Sequence, residues 1–290
     1  MSISFDSQCI QCHLRRNVET ARSLGTEEQA TAFAKDLLKL YLDAPEDVSS
    51  PWFAPGTAEL FFKHYGLDRD RFRREKEESN RFVLIRMDEI RNRVEAASDP
   101  VLAALQFAIL GNYIDFSALQ GQVSFETLDA LLDEAEKMEL DEAAYQALTA
   151  DFSKGKKLLY LTDNAGEIGF DRILAEQISK KYPHLQITFC VRGGPAMNDA
   201  TRADAALVGI TFPVIDNGNC IPGTQIDQLS EEARQVLYEA DVILAKGQGN
   251  AETLYGCGLN VYYAFLVKCP RFVQLFDKPK LTPMLVREGR

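Results

Sequence analysis

Apolar residues in the first half of the chain recur at helical intervals. Within residues 26–42 they fall at Ala30, Phe33, Ala34, Leu37, Leu38 and Tyr41, the stripe of a helix with one buried face. Residues 69–96 are long and charged, with Phe82, Leu84, Ile85, Met87, Ile90 and Val94 spread through them, and predict one helix or two separated by a break. Residues 100–109 are more continuously apolar, as a buried helix is, and 125–139 and 141–149 add two amphipathic pieces. Pro51 and Pro55 predict a loop around Trp52, and no strand pattern or internal repeat occurs in this half.

After about Lys154 the rhythm changes. Short apolar runs at 157–161, 186–191, 213–215, 241–245 and 261–267 have strand length, and helical patterns at 170–181, 199–208 and 230–240 lie between them. Ser230 is the expected N-cap of the last helix, with Glu231 and Glu232 in its first turn. Alternation of this kind predicts a parallel, doubly wound α/β sheet. The chain therefore divides into a helical region, 1–150, and an α/β region, 151–290.

Charge sharpens that division. The net charge of the 290 residues is −11. Residues 1–150 hold 27 acidic and 16 basic side chains, whereas 151–290 hold 16 of each. An acidic chain is a poor partner for nucleic acid, which selects a basic face. No run of 18 apolar residues is present to span a membrane. The start of the sequence lacks the basic and apolar segments of a signal peptide, and the six cysteines do not form a secreted disulfide pattern, so a cytoplasmic address is expected.

In a doubly wound sheet, ligands sit beyond the carboxyl ends of the strands. The segments there are polar. Thr162-Asp163-Asn164-Ala165-Gly166-Glu167 carries two adjacent oxygen donors suited to a hard divalent ion, although the same residues also suit a turn with a helix cap. Arg192–Asp199 ends on Asp199, a third oxygen donor or an N-cap. Lys246-Gly247-Gln248-Gly249-Asn250 places a lysine and two glycines at a helix start, a weak anion-binding signal by itself. Lys268 emerges toward the same edge, and each lysine has the alternative of a solvated strand terminus. Oxygen donors on two loops and lysines on two more suit a metal and a phosphoryl group.

Asp163-Asn164-Ala165-Gly166-Glu167, Asn198-Asp199-Ala200-Thr201, Lys246-Gly247-Gln248-Gly249-Asn250 and Gly111-Asn112-Tyr113-Ile114-Asp115-Phe116 resemble motifs of the DUF89, or ARMT1-like, family of metal-dependent damage-control phosphatases. Cys9-x-x-Cys12, followed by Arg15 and Arg16, resembles the microbial branch of that family. The resemblance runs from about residue 8 to about 270. It implies a helical N-terminal region on a Rossmann-like three-layer α/β/α domain, and hydrolysis of phosphate esters of small metabolites with Mg²⁺, Mn²⁺, Co²⁺ or Ni²⁺. Carried over by position, Asp163, Asn164 and Asp199 match the metal ligands. Glu167 and the Lys246, Gly247 and Asn250 positions match substrate- or phosphate-contacting residues, and Lys268 matches the lysine of an Arg-Thr-x-Lys motif. Here that motif reads Phe265-Leu266-Val267-Lys268, without the Arg and the Thr.

Asn112 and Asp115 interrupt an apolar stretch, as buried polar residues bonded to backbone or as groups that orient substrate. Cys9 and Cys12 make half of a four-cysteine metal site, with His13 adjacent and Cys257 or Cys269 as distant third ligands; a redox pair and plain packing are the alternatives. Two other function classes remain open. One is a small-molecule binder or methyltransferase on the same sheet, against which the missing glycine-rich first loop counts. The other is a metal or redox adaptor built on Cys9 and Cys12.

Overall fold

A computed structural model describes residues 3–114 and 124–288. Asp115 lies outside them. The helical region comprises α1 (Ser7–Leu24), α2 (Glu27–Leu42), α3 (Ala54–Tyr65), α4 (Arg73–Ala96), α5 (Pro100–Gly111), α6 (Phe125–Asp133) and α7 (Glu142–Lys154). The α/β region follows as β1 (Lys157–Leu161), α8 (Glu167–Lys181), β2 (Gln186–Val191), α9 (Arg202–Leu207), β3 (Val214–Asp216), α10 (Glu231–Glu239), β4 (Val242–Lys246), α11 (Gly247–Leu254), β5 (Val261–Leu266), α12 (Pro270–Phe276) and β6 (Pro283–Arg287). The sheet order is β3-β2-β1-β4-β5-β6. Strands β1–β5 pair in parallel and β6 runs antiparallel to β5.

The period of two in the strands divides the core. Leu158, Tyr160, Ile187, Phe189, Leu244, Tyr262 and Leu266 face one cluster with α4, α5, α7 and α8. Leu159, Leu161, Cys190, Ile243, Ala245, Tyr263 and Phe265 face the other, with α10, α11 and α12. Both faces are covered, which is why these strands read as apolar runs without alternation. Helix α5 is apolar on every side because it lies inside this arrangement, against the sheet and α8. Gly111 closes the α5–α8 approach: a Cβ there would stand 2.5 Å from Phe170. The core thus runs across residue 150, and the change of rhythm marks where strands begin. Helices α1, α2 and α3 pack on a smaller cluster of their own around Phe33, Leu37 and Phe61.

Several segments differ from the sequence reading: helix α12 and strand β6 were not expected, α11 was expected only as a helix start, and the helix expected over 199–208 is Arg202–Leu207. The prolines near Trp52 do not hold an open loop; Ser50–Phe53 is a 3-10 turn and Pro55 lies in the first turn of α3. A helix tolerates Pro there because the first N–H groups have no intrahelical acceptor. Helix α1 was not signalled by apolar spacing, although Asp6 caps it by accepting from the Cys9 backbone N–H (3.0 Å). Residues 69–96 form one helix from Arg73, and Ser230 is the N-cap of α10 as expected. Among the described residues no helix is long and apolar enough to cross a membrane.

Candidate metal and phosphate site

The strand order reverses between β1 and β4, so their carboxyl ends diverge and leave a crevice. The segment after β1 and the segment before α9 meet there. Asn164 and Asp199 form an antiparallel bridge, and the Ala200 backbone N–H donates to the Asp163 carbonyl (2.7 Å). Asp163, Asn164 and Asp199 are brought together in this way, though the first and the last stand 36 positions apart. They are 6%, 2% and 4% exposed, against the crevice rather than on the surface.

Each of the three is oriented by a second side chain. Asn164 Nδ2 donates to Asp163 Oδ2 and Glu167 Oε2 (both 2.7 Å), and Asn198 Nδ2 donates to Asn164 Oδ1 (2.6 Å). The Asn164 amide therefore has one possible flip. Asn112 Nδ2 donates to the same Asp163 and Glu167 oxygens (2.8 and 3.0 Å), while its Oδ1 accepts from the Leu266 backbone N–H (3.1 Å). Asn112 is fully buried and ties α5 to both β1 and β5. Asp199 Oδ2 accepts from Arg192 Nε at 2.6 Å. Arg192 is buried, and its Nη2 donates to the Thr162 carbonyl (3.0 Å). Sequence reasoning passed over Arg192; an arginine directly after an apolar strand, seven residues before an aspartate, was the available signal.

Lys246 is placed beneath this layer. Its ammonium donates to Glu167 Oε1 (2.8 Å), Asp171 Oδ1 (2.6 Å) and the Ala108 carbonyl (2.8 Å), with the side chain wholly buried. Three acceptors take all three of its protons, so it has no N–H left for the phosphate that the sequence reading gave it. Burial alone would push this lysine down, but Asp171 and Glu167 hold it up at about 12. Asp171, where burial outweighs the pull of Lys246, is pushed up to about 7. Its Oδ1 also accepts from Tyr160 (2.8 Å), and its Oδ2 is buried with no partner. A carboxyl that holds its proton more readily beside an ammonium lowers the charge that a dry site must bury.

Gly247 sits against the ligand set with φ +78°, and a Cβ there would lie 2.0 Å from Asp163 Oδ2. The glycine leaves space beside a carboxylate, and two carboxylates with an amide oxygen are hard donors. The residues present therefore fit a divalent cation. Asn250 fixes the surrounding loop by donating to the Thr162 and Lys246 carbonyls (3.0 and 2.6 Å). Lys268 is 3% exposed just beyond β5, where its backbone N–H donates to Gln248 Oε1 (2.6 Å).

Cys9 and Cys12 lie on α1, away from this set. Cys9 Sγ accepts from Arg271 (3.4 Å), and burial pushes its thiol up to about 11, the direction opposite to an activated thiolate. Among the described residues, no group of three or more His, Cys, Asp or Glu side chains is placed to hold a metal ion, so neither Cys257 nor Cys269 completes a cysteine site. The strand-end set differs in drawing one of its three oxygens from the Asn164 amide.

Residues 5–282 match the family model described as the damage-control phosphatase ARMT1-like domain. An uncharacterized protein of Methanocaldococcus jannaschii is 31% identical over 283 residues, covering 92% of this chain and 90% of its own. Proteins named damage-control phosphatase from Pyrococcus horikoshii and Archaeoglobus fulgidus are 36% and 35% identical over 183 and 180 residues, and in each case the match spans 61% of both chains. The crystal structure of a DUF89 family protein from Pyrococcus horikoshii is similar over the full length of both chains, with a TM-score of 0.83 at 26% identity.

Proposed function

The chain belongs to the damage-control phosphatase ARMT1-like family, and from that membership we propose that it hydrolyses a phosphate monoester of a small metabolite in the β1/β4 crevice. Asp163, Asn164 and Asp199 hold a divalent cation such as Mg²⁺, Mn²⁺, Co²⁺ or Ni²⁺. The observation that carries this reading is the Asn164–Asp199 bridge, which assembles three oxygen donors from two loops beside the space left by Gly247.

The bound ion supplies charge neutralisation at the phosphoryl oxygens and a lowered pKa for water. The rest of the work falls to this chain's residues. Asn112 and Glu167 hold Asp163 and Asn164 in register, so the donors need no reorganisation when substrate arrives. Arg192 fixes Asp199 Oδ2 by donating to it from Nε. Lys268, at the end of β5, meets the phosphate as a point charge. Lys246 acts one layer down, holding Glu167 in place through a 2.8 Å ion pair. With all six cysteines outside disulfides, the reaction belongs to a reducing cytoplasm.

The test is phosphate release from a panel of sugar, nucleotide and cofactor phosphates with each of the four metals. Asp163→Ala and Asp199→Ala lower kcat/KM by about a hundredfold or more and abolish metal binding by calorimetry, with melting curves that still show a folded protein. Wild-type turnover in the Asp163→Ala protein refutes the assignment.

A further inference from the structure

Helix α4 changes character along its length. Val83, Met87, Ile90 and Val94 enter the main core. Its first turns instead bury Lys76, Ser79 and Asn80. An apolar side chain would fill that space without the cost of desolvating a polar one. Ser79 is satisfied within its own helix, donating to the Glu75 carbonyl (2.7 Å). Lys76 and Asn80 reach out to the α/β region.

The Asn80 amide spans the two loops that carry the ligand set. Its Oδ1 accepts from the Gly166 backbone N–H (2.7 Å), two positions beyond Asn164. Its Nδ2 donates to Asp204 Oδ1 (2.8 Å). Asp204 Oδ2 in turn accepts from the Thr201 backbone N–H and hydroxyl (2.8 and 2.7 Å), two positions beyond Asp199. Lys76 Nζ closes on the same oxygen at 2.8 Å. Burial would push Asp204 up, but Lys76 and the Thr201 bonds hold it below its ordinary value, so it faces Asn80 as a carboxylate. A backbone donor on one side and a carboxylate on the other fix the orientation of the amide. They also restrict the residue type, because the side chain must accept and donate at once. Gly166 admits the contact: its φ is +80°, and a Cβ there would stand 2.8 Å from Ser79 Cβ. The loops also meet directly, through the Asn164–Asp199 bridge and the bond from Asn198 to Asn164. Asn80 adds a tie from a separate helix, 86 positions from Gly166 and 124 from Asp204.

We propose that Asn80 is a positioning residue for the metal site: its amide sets the separation of the two ligand loops, and with it the stance of Asp163 and Asn164 against Asp199. This rests on the reading of those three residues as a metal site. The test is a cycle of exchanges read by Mn²⁺ titration of the metal-free protein in a calorimeter, with melting curves to establish each fold. Asn80→Asp keeps an acceptor for Gly166 but turns a second carboxylate on Asp204. Mn²⁺ affinity falls by about ten- to a hundredfold, the scale of a lost partner behind a metal ligand. Adding Asp204→Asn restores one amide and one carboxylate across the gap and recovers most of the loss. Asn80→Ala, which leaves room for water at both groups, loses affinity in the same direction and decides the matter if Asn80→Asp does not fold. Val83→Ala is the control for a merely structural role of α4. Val83 packs on α8 at Gly169, where a Cβ would stand 2.6 Å away. Its truncation lowers the melting temperature and leaves Mn²⁺ affinity within a few fold of wild type. At saturating Mn²⁺, Asn80→Asp lowers kcat on the best substrate of the panel while KM stays within a few fold, because the buried Asn80 does not reach substrate. Wild-type Mn²⁺ affinity in the Asn80 variants, an equal loss in Val83→Ala, or no recovery in the double exchange overturns the assignment. A wild-type protein that binds Mn²⁺ but hydrolyses nothing defeats the phosphatase reading alone, and the titrations still decide the role of Asn80. A wild-type protein that binds no Mn²⁺ refutes the ligand set, and the role of Asn80 with it.

Discussion

The crevice and the α1–α3 bundle handle polar groups in opposite ways. In the crevice, Asn112, Asn164, Glu167 and Lys246 each satisfy several partners, and every oxygen donor has a side chain that aims it. Its buried exceptions, Asp171 Oδ2 and Arg192 Nη1, belong to charged networks. In the bundle, His13 Nδ1, Thr57 Oγ1 and Tyr65 OH are buried with no partner on groups that carry no charge. The first region spends its hydrogen bonds on a fixed geometry. The second is held mainly by apolar contact around Phe33 and Phe61, with Asp36 tying α2 to Lys63 and His64 at its edge, so its buried unpaired atoms are incidental to its stability. Site and support are therefore separable by mutation.

The largest effect comes from removing the charge that sustains the crevice. Lys246→Met leaves Glu167 and Asp171 buried without their cation, at a cost of about 3–5 kcal/mol. The measurement is urea unfolding, and metal titration of the surviving folded fraction shows weakened binding, because Glu167 no longer aligns Asn164. A phosphate-contacting lysine would instead lose turnover at unchanged stability. That outcome would return Lys246 to the role the sequence suggested.

Gly247→Ala follows. The added Cβ occupies the space beside Asp163 and must also adopt φ near +78°, a strain of about 1–3 kcal/mol. Metal affinity falls with stability, and kcat/KM falls by more than the stability loss accounts for. An alanine protein with wild-type metal affinity would show that the space beside Asp163 is not where the ion lies.

The elements of the sheet were legible because each apolar run is shorter than a helix and closed by Pro, Gly or Asn. Lys157–Leu161 and Gln186–Val191 agree with their expected limits to the residue. The antiparallel β6 was passed over although Met284-Leu285-Val286 is an apolar run as short as that of β3; the strand lies on an edge and pairs only with β5. At the site, residue types could be read but depth could not. Lys246 and Lys268 look alike as strand-end lysines, and only the approach of α5 and α8, which brings Ala108, Glu167 and Asp171 around one of them, sets Lys246 apart. Partners 75 to 138 positions distant in sequence leave no local pattern.

Asp171 gives the crevice a pH dependence opposite in sign to that of the bundle, where burial pushes His13 down to about 3. Its folded pKa lies above its ordinary value of 3.8, at about 7, because burial disfavours the anion. The folded state then binds a proton that the unfolded state has released, so this contribution is complete below about pH 4 and is lost as pH rises toward 7. The stability of the metal-free wild type minus that of Asp171→Asn should decline across that window, a difference that removes the opposing contribution of His13. A curve that rises with pH by the same amount in both proteins would assign the proton elsewhere.

The smallest effect separates the two regions most directly. Tyr160 and Tyr65 both bury a phenolic oxygen, but Tyr160 donates to Asp171 at 2.8 Å and Tyr65 has no acceptor. Deleting the Tyr160 hydroxyl removes one of the two bonds that Asp171 Oδ1 accepts, the other coming from Lys246, and costs about 0.5–1.5 kcal/mol. Deleting one that was never paired removes a desolvation penalty instead, so the change is near zero or favourable. Tyr160→Phe should therefore lower the unfolding midpoint, and Tyr65→Phe should leave it in place or raise it slightly. Urea denaturation at pH 6, where Asp171 is largely neutral, is the condition least disturbed by charge. Equal losses in the two variants would mean that Tyr65 has a partner in solution, and the bundle would then be held by polar contacts as the crevice is.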